Sequence, residues 1–169
     1  MELQTVSLNA SHHRDDFDCG KVALDEYLKK QANQDVKKRL SICFVLTEKE
    51  DEQEKVKGYY TLSNTSISRS LIPAELQNKF PKSYDTIPAT LIGRLARDKS
   101  VKGKGHGEKL LINALYRSYL ASKELGSFAV VVDPIDEEAE MFYVAYGFKK
   151  LPDSGKLFIA MKTIDQLFH

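Results

Sequence analysis

With 169 residues, 42% of them hydrophobic and 29% charged, the chain has the size and balance of one globular domain over residues 1–169; a disordered polymer is excluded. A net charge of +1 excludes the overall basic excess of a dedicated nucleic-acid-binding domain. Two cysteines, Cys19 and Cys43, exclude a disulfide framework and lack paired metal-ligand spacing, so they read as reduced and at least partly buried.

In chain order, LQTVSL at 3–8 alternates like a strand. Residues 16–38 then carry Val22, Ala23, Tyr27, Leu28 and Ala32 at helical spacing. SICFVLT at 41–47 is β-rich, the acidic 48–55 segment reads as a turn, and VKGYYTLSNTSIS at 56–68 returns as the second arm of an antiparallel hairpin. Pro73, Pro81 and Pro88 punctuate a loop or short helix before the strand ATLIGRLARD at 89–98. A glycine-rich loop follows, then a helix from about 107 to 123 with Leu110, Leu111, Ala114 and Leu115 on one face. SFAVVVD at 127–133 is a buried strand by its continuous apolar run. A short helix at about 136–145 and two strands near 147–151 and 157–162 complete a mixed α/β sheet with helices on both faces. No stretch approaches the roughly 18 apolar residues of a membrane span, and the N-terminus has no apolar signal core, so a cytoplasmic protein is expected.

Charge is segregated along the chain. Residues 21–39 hold Lys21, Lys29, Lys30, Lys37, Lys38 and Arg39 against three acids, and residues 94–109 hold Arg94, Arg97, Lys99, Lys102, Lys104 and Lys109 against two. Either run alone reads as a solvated face; two of them beside a glycine loop point to a polyanionic ligand.

The loop itself is KGKGHGEKLL at 102–111. A strand, glycines at 103, 105 and 107, and a helix N-terminus gather free backbone N–H groups and the positive end of a helix dipole, which suits a pyrophosphate. The nucleoside-triphosphate loop GxxxxGK[ST] is not matched, since the fifth residue after Gly103 is Glu108, and the dinucleotide pattern GxGxxG fails because the third glycine comes one residue early.

Lys102, Gly105 and Gly107 resemble instead the acyl-CoA loop of the GNAT N-acetyltransferases, with Lys102 in place of the usual Arg or Gln and His106 in place of a small aliphatic residue. Downstream, Asp136, Ala139, Tyr143, Gly147 and Phe148 match a second family pattern, with Asp136 in place of Asn. The stretches 17–28, 58–63, 87–98 and 142–148 resemble the bacterial toxin branch that acetylates the α-amino group of aminoacyl-tRNA. That resemblance implies a GNAT fold, α/β with one mixed central sheet splayed between its fourth and fifth strands, at about 90–97 and 128–133. It implies acetyl-CoA as cosubstrate and no metal, with Leu95, Ala96 and Arg97 pairing to the pantetheine arm. Lys102, Gly103, Lys104, Gly105, His106 and Gly107 would hold the pyrophosphate, and Asp136 belongs to the same cofactor-binding set. The implied partners are aminoacyl-tRNA, a ribbon-helix-helix antitoxin and a second copy of the chain, with no membrane.

Acetyl transfer from a thioester needs a neutral amine, a polarised carbonyl and an acid for the departing thiolate. Tyr143 is the candidate acid, because a phenol of pKa near 10 keeps its proton at neutral pH. No side chain stands out as a general base. An α-amino group titrates near 7.7 to 8.0, and lower when the adjacent carboxyl is esterified, so it needs less help than a lysine. An aminoacyl ester on tRNA fits this, and Lys29, Lys30, Lys37, Lys38, Arg39, Arg94 and Arg97 are the candidate tRNA-backbone contacts. Two other readings remain open: acetylation of a small amine or protein N-terminus, and a domain that binds CoA without turnover.

Overall fold

The computed structural model describes residues 4–169. Its strands are β1 (Val6–Ser7), β2 (His12–His13), β3 (Ile42–Glu50), β4 (Gln53–Ser68), β5 (Thr86–Arg97), β6 (Ala129–Val132), β7 (Lys149–Lys150) and β8 (Leu157–Ala160). The helices are α1 (Val22–Glu26), α2 (Ala32–Lys37), α3 (Ala74–Gln77), α4 (His106–Ala121), α5 (Glu137–Ala145) and α6 (Met161–Leu167). Among the described residues these strands form one mixed sheet in the order β1-β3-β4-β5-β6-β8-β7, with β2 beside β4. The β5/β6 pair is parallel and the β6/β8 pair antiparallel. No described helix is long and apolar enough to cross a membrane.

The chain packs as two compact units. One runs from the N-terminus to Ser63 and includes Gly93–Ala114; the other comprises Asn64–Ile92 and Leu115–His169. In the first, Phe17, Tyr27, Leu28, Cys43, Val45, Val56, Tyr59 and Ala96 form a buried cluster. Each large member contributes about 1.5 to 3 kcal/mol by leaving water. The Tyr59 ring meets the edge of Phe17 at 5.7 Å and stacks on Tyr27 at 6.3 Å.

A π-helical turn, Tyr27–Gln31, joins α1 to α2 and widens the ladder. Side chains take up carbonyls there: the Tyr59 hydroxyl donates to Leu24 O and the Arg14 guanidinium to Leu28 O. In the second unit, Ile67, Ile72, Ile87, Ala89, Ala129, Val131, Leu151 and Phe158 form the core. All four residues of β6 are buried, as a strand covered on both faces requires.

Several sequence expectations are corrected. The acidic turn is only two residues: β3 runs on to Glu50 and β4 resumes at Gln53, with Asp51 and Glu52 at φ 51° and 63°. Two left-handed central residues match the twist of the flanking strands, so charge did not prevent strand extension. Pro88 lies inside β5 rather than before it. Its missing N–H is no obstacle there, and its carbonyl accepts from the Phe128 N–H at 2.9 Å. Met161 and Lys162, read as strand, begin α6, whose Met161 and Ile164 are buried three residues apart. The N-terminal strand is short, with Val6 and Ser7 opposite Val45 and Phe44; residues 1–3 of that expectation lie outside the described residues. The cysteines are free, Cys43 buried and Cys19 half-buried, and burial pushes their thiols up to about 12 and about 11.

Candidate active site

The donor side is built in the first unit from the end of β5 and the turn that follows it. The parallel register between β5 and β6 covers Thr90 to Ile92 against Val130 to Val132, while β5 itself continues to Arg97. Leu95, Ala96 and Arg97 therefore lie beyond the three registered pairs. Ala96 is buried, and Leu95 and Arg97 are half-buried.

After β5 the chain enters a 3₁₀ turn, Lys99–Val101, capped by the Asp98 carboxylate, which accepts from the Ser100 N–H at 2.9 Å. Lys102 and Lys104 donate their N–H groups back to Lys99 O and Val101 O. Gly103 and Gly105 have φ of 79° and 82°, and a Cβ at either would meet nothing within 4 Å. These glycines are required by backbone conformation, and they leave the loop open to an incoming group. The Lys109 N–H bonds to Gly105 O, closing the first turn of α4. The N–H groups of Gly105 to Glu108 precede that bond and belong to the set a helix leaves without an internal acceptor. Loop and helix start together fit a pyrophosphate. His106 is buried at the first position of α4, its Nε2 3.8 Å from Glu48 Oε1 of β3. Its imidazole is thus withdrawn from solvent, and its backbone is what the loop offers.

The candidate acid lies in the second unit, on α5. Asp136 caps this helix: its Oδ1 accepts from the Ala139 N–H at 2.8 Å. At the other end Gly147, at φ 99°, donates to Val144 O, and the Phe148 N–H donates to Tyr143 O at 3.2 Å. This is a Schellman cap, and its usual apolar contact is present, with the Phe148 and Tyr143 rings 5.2 Å apart. The spacing from Asp136 through Ala139 and Tyr143 to Gly147 and Phe148 thus describes a nine-residue helix with both ends secured. Tyr143 is buried, and burial raises its phenol above the usual tyrosine range, which keeps it protonated.

The basic residues of the first unit differ in availability. Lys37, Lys38 and Arg39 are exposed at the end of α2, while Lys29 is half-buried. Lys30 pairs with Glu26 at 2.5 Å. Arg94 lies 3.5 Å above the Tyr27 ring, so one face of its guanidinium is taken. Tyr27 beneath Arg94, Glu48 beside His106, and the Asp98 cap were not singled out from sequence. Only the last left a local signal, an Asp two residues before a Ser, which favours an Asx-type turn.

No protein-family model matches the chain. A tRNA-acetylating toxin of Mycobacterium tuberculosis (strain ATCC 25618 / H37Rv) is 33% identical over 147 residues, 86% of this chain and 84% of that one. Among solved structures, AtaT complexed with acetyl-methionyl-tRNAfMet superposes with a TM-score of 0.89 at 31% identity, covering 99% of this chain and 100% of the other. A tyrosine-to-phenylalanine variant of KacT gives 0.89 at 33%, covering 98% and 99%. A corresponding variant of AtaT, bound to the C-terminus of the antitoxin AtaR and acetyl-CoA, gives 0.81 at 27%, covering 97% and 96%. With a 33% identical curated relative matched over most of both chains, and with the parallel β5/β6 pair, glycine loop and capped tyrosine helix in place, the chain belongs to the tRNA-acetylating toxin family of GNAT-fold N-acetyltransferases.

Proposed function

We propose that the protein transfers the acetyl group of acetyl-CoA to the α-amino group of an aminoacyl-tRNA and so blocks translation. The observation that carries this reading is Tyr143, a protonated phenol buried on a helix secured at both ends, in a chain similar along its length to tRNA-acetylating toxins. Lys102–Gly107 hold the donor pyrophosphate through backbone N–H groups, and Leu95, Ala96 and Arg97 receive the pantetheine amides. The amine nitrogen bonds to the acetyl carbon, the carbon–sulfur bond breaks, and Tyr143 gives its proton to the leaving sulfur. The amine gives up one proton to water and the Tyr143 phenolate takes one back from water, so the step closes with a neutral amide, a free thiol and the phenol restored. Asp136 serves this site by capping the helix that carries Tyr143.

Lys37, Lys38 and Arg39, with Lys29, Lys30, Arg94 and Arg97, form the proposed contacts to the tRNA backbone. Replacing Lys37, Lys38 or Arg39 by alanine should lower the salt dependence of binding by about one counterion each, and replacing Lys30 or Arg94, already engaged with Glu26 and Tyr27, by less. AtaT has been solved with acetyl-CoA and the C-terminus of its antitoxin, and by that similarity we assign this chain an antitoxin; its ribbon-helix-helix type, a homodimeric state and a cytoplasmic place of action are proposed on the sequence resemblance alone. The test is incubation with labelled acetyl-CoA and charged tRNA. Label should appear on the aminoacyl group; label found only on small amines or peptide N-termini would overturn the acceptor assignment.

A further inference from the structure

We propose that Asp98 is a positioning residue for the donor loop, setting its register for the acetyl-CoA pyrophosphate; this rests on the donor reading given above. Asp98 is buried at the end of β5, and both carboxylate oxygens are used. Oδ1 accepts from the Asp18 N–H at 2.8 Å, and Oδ2 accepts from the Ser100 N–H at 2.9 Å and the Ser100 hydroxyl at 2.5 Å. Its own N–H donates to Lys57 O at 2.8 Å, and its carbonyl accepts from the Val101 N–H at 3.2 Å.

One residue thus ties together the segment before α1, strand β4 and the 3₁₀ turn. Every later bond of the loop starts from that turn: Lys102 N–H to Lys99 O, then Lys104 N–H to Val101 O, then the two left-handed glycines. The same turn is also held by the Lys99 N–H, which donates to Asp18 O at 2.8 Å, and by the Lys99–Asp18 ion pair at 2.8 Å, so Asp98 shares the hold on it; a displacement at Asp98 reaches the start of α4 through Ser100 and Val101.

A carboxylate near an anion-binding loop is unfavourable by Coulomb's law unless its charge is offset. The buried Lys57 supplies the offset. Its ammonium donates to Ser100 Oγ at 3.2 Å and lies 3.3 Å from Glu50 Oε1, so acid, lysine and acid alternate along the network. Burial raises the Asp98 pKa, but the Ser100 hydroxyl and the Asp18 and Ser100 N–H groups outweigh it and hold the carboxyl below its ordinary value. An apolar side chain here would strand three donors, so the acid is retained for what it holds rather than for charge presented to a ligand.

The experiment compares acetyl-CoA with S-acetylpantetheine, which carries the same thioester without the pyrophosphate. Asp98→Asn should raise KM for acetyl-CoA and the calorimetric Kd of CoA by roughly ten- to hundredfold, the range for one hydrogen bond to a charged group. It should leave kcat at saturating acetyl-CoA, KM for S-acetylpantetheine and KM for the acceptor within about twofold of the parent. Ser100→Ala, which keeps the backbone donor, should move the same two quantities in the same direction by less, and it supplies the comparison where Asp98→Asn does not fold. Equal shifts for both donors, or a lowered Tm with KM for acetyl-CoA unchanged, would make Asp98 structural only and overturn the proposal. A parent protein that binds CoA no better than pantetheine would instead overturn the donor reading itself, and this role with it.

Discussion

The glycine loop and helix α5 hold their functional atoms in opposite ways. The loop offers backbone N–H groups, so its sequence removes side chains: Gly103 and Gly105 take left-handed φ values with open space around them. Helix α5 offers one side chain, so its sequence fixes a backbone. Asp136 caps the start, Gly147 and Phe148 close the end, and Tyr143 both bears the hydroxyl and accepts the terminal N–H on its carbonyl. The same residue type serves both: glycine at positive φ opens the loop at 105 and ends the helix at 147. What glycine does depends on whether the N–H groups around it are left for a ligand or returned to a helix.

The strongest test of this contrast is Tyr143→Phe, which removes one hydroxyl and leaves the ring contact with Phe148. It should lower kcat by about 10² to 10⁴ with Tm and CoA affinity unchanged; turnover equal to the parent would make the tyrosine a packing residue. Next come matched glycine changes. Gly105→Ala and Gly147→Ala each force a left-handed alanine, at a cost of about 1 to 2 kcal/mol. Both should lower Tm; the first should also raise KM for acetyl-CoA with kcat retained, the second should also lower kcat with that KM retained, and identical kinetic readouts would break the contrast. Asp136→Ala should cost about 1 kcal/mol, seen as a Tm lower by about 2 to 4 °C, with a smaller loss of kcat than the Gly147 change.

The two regions should also differ in pH response, in the smallest effect of the set. The folded-state pKa of Asp98, beside Lys57 and in reach of Asp18 and Lys99, is depressed. Its contribution is present above the ordinary carboxylate value of 3.8 and lost as pH falls through the lower folded value. For Tyr143 the folded value is raised, so its contribution is present below 10 and lost as pH rises above that. In urea titrations across pH, Asp98→Asn should flatten part of the acid loss and Tyr143→Phe part of the alkaline loss.

Much of the fold was legible where periodicity and side chain agree. The apolar run at 129–132 is the buried β6, and the face of Leu110, Leu111, Ala114 and Leu115 is the buried side of α4. Legibility failed where a local signal was overruled by pairing. Acidic residues extended the β3–β4 hairpin because Asp51 and Glu52 accept the turn, and Pro88 joined β5 because its carbonyl still had a partner. The 161–162 pair became helix although the Met161 N–H still donates to Phe128 O at 2.7 Å beside the Ala129–Ala160 pair, because α6 buries Met161 and Ile164 on one side.

By itself the sequence determined the chemistry on offer: an open loop of glycines at 103 and 105, a phenol at 143 and the caps on either side of it. These depend on spacing within one element, and spacing is written in the chain. Tertiary structure alone decided which charges are free. Arg94 is spent on Tyr27, Lys30 on Glu26 and Lys57 on Ser100 and Glu50, whereas Lys37, Lys38 and Arg39 stay exposed. It also made Asp98 an anchor of the donor loop, since its partners at 18 and 57 lie far away in sequence and meet it only when β4, β5 and the segment before α1 have packed.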